Sequence, residues 1–397
     1  MRNIAVLLVL LMTSCSSRKE AGHVFDYFHQ EKPKEIPQIF APNVVSVQGR
    51  FEMGFTISPN GKSIAFGVAH ESDPSATCIY LMNFDNGKWS IPDKTFLPDN
   101  INTFFPMFDP TGKEFYFVKS IENLETDIWV ASRLKNAITN PRPLNSVINS
   151  ESREAGHGKS KSGSFYFTSN RDDKYQCCGD IFMSELSEGG YLSTKRVEAL
   201  NSGADEESLF LSPDEDYIII QAWKQEFDSK HDLYISYKSK NGLWTKPERL
   251  DTAINGKEIE QRPFVSPDNK YLFFSRMHVV SENGQEIYES DIYWVSTRSV
   301  FGPYPYNVVS MPEISFNKPF EIQLPDDLFR DVNGAIVSYG VSLEYEDKLP
   351  EWINFDEKKL LLTGIWESEV SRDVVITAYD DDGNKGVVNI PVTVKNN

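Results

Sequence analysis

One pattern recurs five times along this chain and restricts what it can fold into. Glu260 to Ser275 reads EQRPFVSPDNKYLFFS: an apolar strand, a tight turn, a second strand. The same order returns with Pro213 in SPDEDYIII, Pro110 in DPTGKEFYF and Pro59 in SPNGKSIAF, and with Lys161 in the Pro position of SKSGSFYFTS. These positions are 51, 51, 52 and 54 residues apart. A fixed period of that size marks a stacked or closed array of one supersecondary unit.

Each unit reads as four short strands. Pro pre-sets a backbone angle in the first turn, and Asp, Asn or Gly supplies the local hydrogen bond or the left-handed conformation. The second strand follows at once, as in Glu114 to Val118 or Tyr271 to Phe274. A third strand opens with Asp and an apolar-aromatic pair at Asp127, Asp180, Asp232 and Asp291, while Cys78 holds that place in the first unit. A fourth is announced by a Gly-aromatic turn at Gly87, Gly190 and Gly242. Four antiparallel strands per roughly 50 residues is one blade of a β-propeller. This pattern, from residue 36 to 305, resembles the WD-like propeller repeat of the TolB type. The resemblance implies an all-β, five-bladed propeller, with six blades as the alternative, and carries no single chemistry, because the fold is shared by accessory proteins, scaffolds and the propeller halves of enzymes.

The last unit lacks a fourth strand after Tyr293, whereas Pro37 to Phe40 followed by Val44-Val45-Ser46 matches the Pro247 to Leu250 and Ile254-Asn255 pattern. The N-terminal strand is therefore expected to complete the last blade and remove its exposed edge. Before it, Met1-Arg2-Asn3 and the apolar run Ile4 to Met12 read as a signal peptide (residues 1–14), too short to span a bilayer. Leu11 to Ser16 resembles a bacterial lipobox, which implies lipidation of Cys15, and residues 15–35 read as a tether. Localisation follows: the bacterial envelope, anchored by lipid to the outer membrane on its periplasmic or surface side.

A formal charge of -18 excludes nucleic acid as a partner, since phosphate binding needs a basic surface. Of the four Cys, Cys78 reads as a small apolar core residue, and the neighbours Cys177 and Cys178 sit in a loop where they could pair as a vicinal disulfide.

Propeller geometry places the loops between strands two and three on one face: His70 to Thr77, Lys119 to Thr126, Asn170 to Gly179, Lys224 to His231 and Arg276 to Ser290. They are long and dissimilar, so that face is the expected site. Seven residues before each turn position stand Glu52, Thr103, Glu154, Glu206 and Glu260. Equivalent positions of a propeller form a ring, and four carboxylates at one channel mouth would attract a cation, Ca²⁺ for instance, or a basic group. The competing reading is that each Glu caps its own turn or pairs with a neighbouring blade, for example with Arg153 or Arg262. Arg171, Asp172, Trp223 and His278 on the same face complete the candidate binding set. Trp89, Trp129, Trp244 and Trp294 fall at repeat positions and read as blade core. No GxSxG, HExxH, Walker loop or GxGxxG motif is present, and no cofactor is required.

Beyond residue 305 the repeat stops. Leu349-Pro350-Glu351-Trp352 to Phe355, then Thr363-Gly364, then Thr377-Ala378-Tyr379 into Asp380-Asp381-Asp382-Gly383 resemble a dystroglycan-type, cadherin-like Ig-like sandwich over 306–397, with Trp352 and Phe355 as core candidates. Its acidic turn is a second place where Ca²⁺ could bind. The combined expectation is a non-catalytic, lipid-anchored envelope protein that binds a protein or glycan through the long-loop face; the alternative is a glycan- or peptide-cleaving enzyme on that same face.

Overall fold

The computed structural model describes residues 25–70, 73–94, 96–97, 100–121, 125–135, 137–172, 178–224, 231–282, 285–307, 309 and 313–395. Four-stranded antiparallel sheets recur at the predicted period. The first holds Phe51–Ile57, Ser63–His70, Asp73–Asp85 and Lys88–Trp89, and the second Thr103–Phe108, Glu114–Ser120, Thr126–Leu134 and Ala137–Pro143. The third holds Glu154–Lys159, Phe165–Ser169, Asp180–Ser184 and Lys195–Arg196, and the fourth Asp205–Leu211, Tyr217–Trp223, Asp232–Tyr237 and Glu248–Arg249. In the last, Ile259–Val265, Tyr271–Glu282 and Gln285–Ser296 take their fourth strand from the N-terminus, where Gln38 pairs with Trp294 and Ile39 with Tyr293. The first strand of each sheet packs against those of the sheets before and after it, and the last meets the first, so the array is a closed propeller.

The turn chemistry explains why the strands start where they do. At the head of each turn Ser58, Asp109, Ser160, Ser212 or Ser266 accepts the N–H that opens strand two, at 2.9–3.1 Å. A left-handed residue follows at Gly61, Gly112, Gly163, Glu215 and Asn269, which is why Gly or Asn dominates there.

Neighbouring sheets are riveted by bonds between a side chain of one and the first strand of the next. Phe108 N–H donates to Thr56 Oγ1, Thr126 and Thr168 donate to the carbonyls of Glu154 and Glu207, Arg262 N–H donates to Gln221 Oε1, and Gly54 N–H donates to Ser275 Oγ across the closure. Each first strand can make such bonds because it carries a β-bulge just after its Glu or Thr, which frees backbone groups from its own ladder.

The expected tether is shorter than residues 15–35. Tyr27 is buried against Tyr271, Phe273 and Trp294 and donates to Asp268 at 3.0 Å, while Phe28 stacks on Trp89. Apolar area removed from water holds this segment to the closing seam, so any free linker ends before Phe25.

The C-terminal unit is a two-sheet sandwich, with Pro319–Gln323, Leu361–Ile365 and Ile353–Asp356 facing Ile336–Leu343, Val374–Asp380 and Lys385–Ile390. Its fully buried Trp is Trp366, beside Leu362 and Ile376; Trp352 and Phe355 are only partly buried at its edge. Tyr304 stacks on Tyr237 with ring centres 4.2 Å apart, and Lys240 bonds Asp327 at 2.7 Å, which docks the sandwich on the fourth sheet.

Candidate functional site

The glutamates do not face a common channel. Glu52, Glu154 and Glu260 are fully buried, Glu206 is 1% exposed, and each is bonded to the connection that leads into its own first strand. Val47, Ser150, Ser202 and Gly256 N–H groups in the preceding connection donate to Glu52, Glu154, Glu206 and Glu260. Three take an Arg as well: Arg50 on Glu52 at 2.5 Å, Arg171 on Glu154 at 3.0 Å and Arg276 on Glu260 at 2.8 Å. Each of these Arg also donates to a carbonyl of the connection, at Val45, Ile148 or Ile254. These partners lie in the preceding connection and the same unit, not in the turn or a neighbouring blade, and Arg153 holds Glu207 at 2.7 Å instead. Burial pushes Glu52, Glu206 and Glu260 upward from the ordinary carboxylate range, Glu206 to about 7. Arg171 is thus structural, Asp172 is exposed at its side, Trp223 is 44% exposed beside His231, and His278 pairs with Glu289 on the last sheet.

A second repeated anchor escaped the sequence reading. Asn100, Asn149, Asn201 and Asn255 each accept a strand-three N–H and donate back to the same residue's carbonyl, at Ile79, Ile128, Ile181 and Leu233. Ser46 does the same for Ile292 at the closure. The signal was legible: an apolar residue and Asn stand five positions before Glu154, Glu206 and Glu260. The Asp that opens strand three pairs with an Arg where Asp180 meets Arg196 and Asp232 meets Arg249, both at 2.7 Å. Cys78 is free and buried, and Cys178 is disulfide-bonded; Cys177 and Cys15 lie outside the described residues.

The cavity lies on the propeller axis, at the other end from the glutamates. It measures about 280 Å³ and is walled by first-strand residues of all five sheets, from the bulges down to the turns at Pro59, Pro110, Lys161, Pro213 and Pro267. Phe55, Phe105, Phe108, Phe210 and Phe264 make it aromatic. The bulges decide its shape. At equivalent places stand Gly54, Phe105, Gly156, Ser208 and Arg262, and a Cβ on Gly156 would come within 2.4 Å of Ser208 Cα. Glycine at two places lets strands close up and leaves axial space that Phe105 and Arg262 enter, the Arg guanidinium lying 4.4 Å over the Phe105 ring.

Electrostatics at the floor are lopsided. Burial lowers Arg262 to about 10, so it stays protonated at neutral pH, and neither Nε nor Nη1 has a hydrogen-bond partner. Glu207 is the nearest compensating charge; burial would raise it, but Arg153, Arg262 and His231 together hold it low. It is already spent on Arg153 and on Gln221 at 2.8 Å. His157, 6% exposed, turns Nδ1 toward the Ala155 carbonyl, leaves Nε2 without a partner, and is lowered by burial to about 4. At the rim Lys161 meets Asp214 at 2.8 Å, and Lys159 meets Glu114. Among the described residues no three His, Cys, Asp or Glu gather to hold a metal.

The loops expected to form the site are partly outside the described residues, at 71–72, 122–124, 173–177, 225–230 and 283–284. His70 is described only in its backbone.

Against known proteins, the He_PIG family model (Ig domain) matches residues 303–395, the region of the sandwich. No curated protein sequence matches the chain at a significant level. Among solved structures the chain is similar to TolB from Acinetobacter baumannii, at 17% identity and TM-score 0.37, over 62% of this chain and 54% of that one, so it spans about half that protein's length. It is similar to a GH43 β-xylosidase/α-arabinofuranosidase from a compost microbial metagenome at 11% identity and TM-score 0.39, over 65% and 94%. It is also similar to the β-propeller domain of the Trilobed protease from Pyrococcus furiosus, at 11% identity and TM-score 0.31, over 86% of this chain and 95% of that domain.

Proposed function

We propose that residues 36–305 are a five-bladed propeller, tethered through a lipidated Cys15 in the bacterial envelope, and that it is a non-catalytic binding protein. Its ligand enters the axial cavity from the turn face, and the partner is an envelope protein or glycan presenting an end slim enough to fit. The observation that carries this reading is one aromatic-walled cavity to which all five sheets contribute. A concave apolar chamber with a few polar groups is the usual form of a ligand site. Glycan cleavage by paired carboxylates is disfavoured there: Asp214 is the sole carboxylate in the lining and is tied to Lys161, whereas glycosidases place two across one pocket.

The test blocks the mouth. Lys161 and Asp214 are exposed, so Lys161→Trp and Asp214→Trp should leave the fold intact while capping the opening. A panel of small acids, amines, neutral amides and sugars is screened by thermal shift against the parent and both variants, with mass spectrometry for turnover. Compounds that raise the parent's melting temperature, are returned unchanged, and have no effect on the Trp variants support the reading. Equal shifts in all three proteins, or conversion of a compound, would overturn it.

A further inference from the structure

Two polar groups with nothing to bind share this apolar cavity. The Arg262 guanidinium buries Nε and Nη1 without an acceptor, and His157 buries Nε2 without a donor. Leaving such groups unsatisfied is expensive, and more so when one carries charge. The backbone is also set for the purpose. Arg262 has φ 54°, a left-handed conformation that a side-chain-bearing residue adopts at some cost, and it is held there by the bulge and by its N–H bonds to Ser208 Oγ and Gln221 Oε1. That conformation sends the one cationic side chain among the five equivalent positions into the axis, where the adjoining sheets offer Gly54 and Ser208 and the third sheet offers Gly156.

Among the described residues Arg262 is the cavity-lining charge without an ion pair, while behind it Asp205 and Glu207 both act on Arg153. Glu207 faces two guanidinium groups, Arg153 and Arg262, and is hydrogen-bonded to the first. The rim adds no net sign, since Lys161 meets Asp214 and Lys159 meets Glu114. A carboxylate matches the fork geometry of Arg better than any other common anion except phosphate. Phosphate, however, brings three hydrated oxygens into a chamber whose walls are Phe55, Phe108, Phe210 and Phe264, and these favour a group with an apolar body. In size, about 280 Å³ is nearly twice the roughly 150 Å³ engineered cavity that admits benzene, so a ring with a short polar arm fits.

Resting on the binding reading above, we propose that the axial cavity is a seat for an apolar carboxylate: the carboxylate lies on Arg262, the apolar body lies among the Phe side chains, and an N–H or O–H of the ligand donates to His157 Nε2. The chemistry is shared by a free N-acylated aromatic amino acid and by the C-terminal residue of a peptide, and the two sources are separable by experiment.

Isothermal titration calorimetry on the full chain in detergent uses N-acetylphenylalanine, its primary amide, 3-phenylpropanoate, and Ala-Ala-Phe with a free or an amidated end. N-acetylphenylalanine should bind about tenfold or more tighter than its amide, the difference expected for a charge-assisted pair. It should also exceed 3-phenylpropanoate, which offers His157 no donor. Preference for Ala-Ala-Phe over N-acetylphenylalanine identifies a peptide end, and the reverse a free acid. Arg262→Gln should bind acid and amide alike while melting no lower than the parent, because Arg262's guanidinium gives up no hydrogen bond. Should that variant not fold, the acid-to-amide ratio on the parent still decides. Equal affinities for acid and amide in the parent, or no binding by any of the five probes, would overturn the carboxylate assignment. If instead the amides bind and Lys161→Trp abolishes it, the cavity is the site and the anion seat alone is wrong.

Discussion

Glu206 is raised to about 7, as Glu52 and Glu260 also are, but it is the glutamate of the repeat with no Arg bonded to it, so neutralising it strands no guanidinium. Its Oε1 accepts from Ser202 N–H and Oγ, while Oε2 is buried with no hydrogen-bond partner. Burial raises the carboxyl from its ordinary 4.5 to about 7, with Lys224 pulling only weakly the other way. Across that window the folded protein keeps a proton that the unfolded chain has released. Stability from this group is therefore complete below pH 4.5 and is lost as pH rises through 7, by about 3 kcal/mol at 1.36 kcal/mol per pH unit. Glu206→Gln keeps the acceptor for Ser202 and never ionises. Urea unfolding of parent and variant at pH 5 and pH 8 should show the variant gaining about 2–3 kcal/mol on the parent between the two. Glu154→Gln is the contrast. There the carboxylate takes Ser150 N–H, Ser150 Oγ, Ser169 Oγ and Arg171, so neutralising it strands a buried guanidinium and should destabilise at both pH values. A Glu206→Gln advantage that is the same at pH 5 and 8 would refute the reasoning.

Two further outcomes are expected. Asn255→Ala removes bonds to Leu233 N–H and to the carbonyls of Leu233 and Leu250, all buried, and should lower unfolding stability by about 3 kcal/mol in urea, whereas a loss under about 1 kcal/mol would mean water replaces the side chain. Cys15→Ala should abolish labelling by a radiolabelled fatty acid if the lipobox reading is right, and continued labelling would remove it.

Much of the fold was legible because it rests on local chemistry repeated in register. A Ser or Asp that must accept the strand-two N–H, and a left-handed residue after it, are demands of the turn alone, and a turn every 51 to 54 residues then fixes the array. Closure was legible for a similar reason. The last unit lacked a fourth strand that Pro37 to Phe40 could supply, and Ser46 stands where the other units place Asn to hold strand three. The docking of Tyr27 was not legible. Its contacts are with Tyr271 and Trp294, more than 240 residues away, and a polar segment with scattered aromatics reads as a linker until the surface it meets is known.

The glutamates illustrate why a repeated position does not by itself mark a binding site. A ring of equivalent positions looks like a ring of equivalent roles, but each first strand bends at its bulge, so residues before the bulge and residues after it serve different surroundings. Before it, Glu52, Glu154, Glu206 and Glu260 turn back to tie the connection between sheets, and four carboxylates never meet. After it, the strands line the axis down to the turns. What distinguishes the axis is therefore where the repeat fails to repeat. Arg262 occupies a position that is Gly in the first and third units and Phe in the second, so no periodic reading could single it out. In a closed array the shared residues build the walls, and a ligand can be recognised only by what the units do not share.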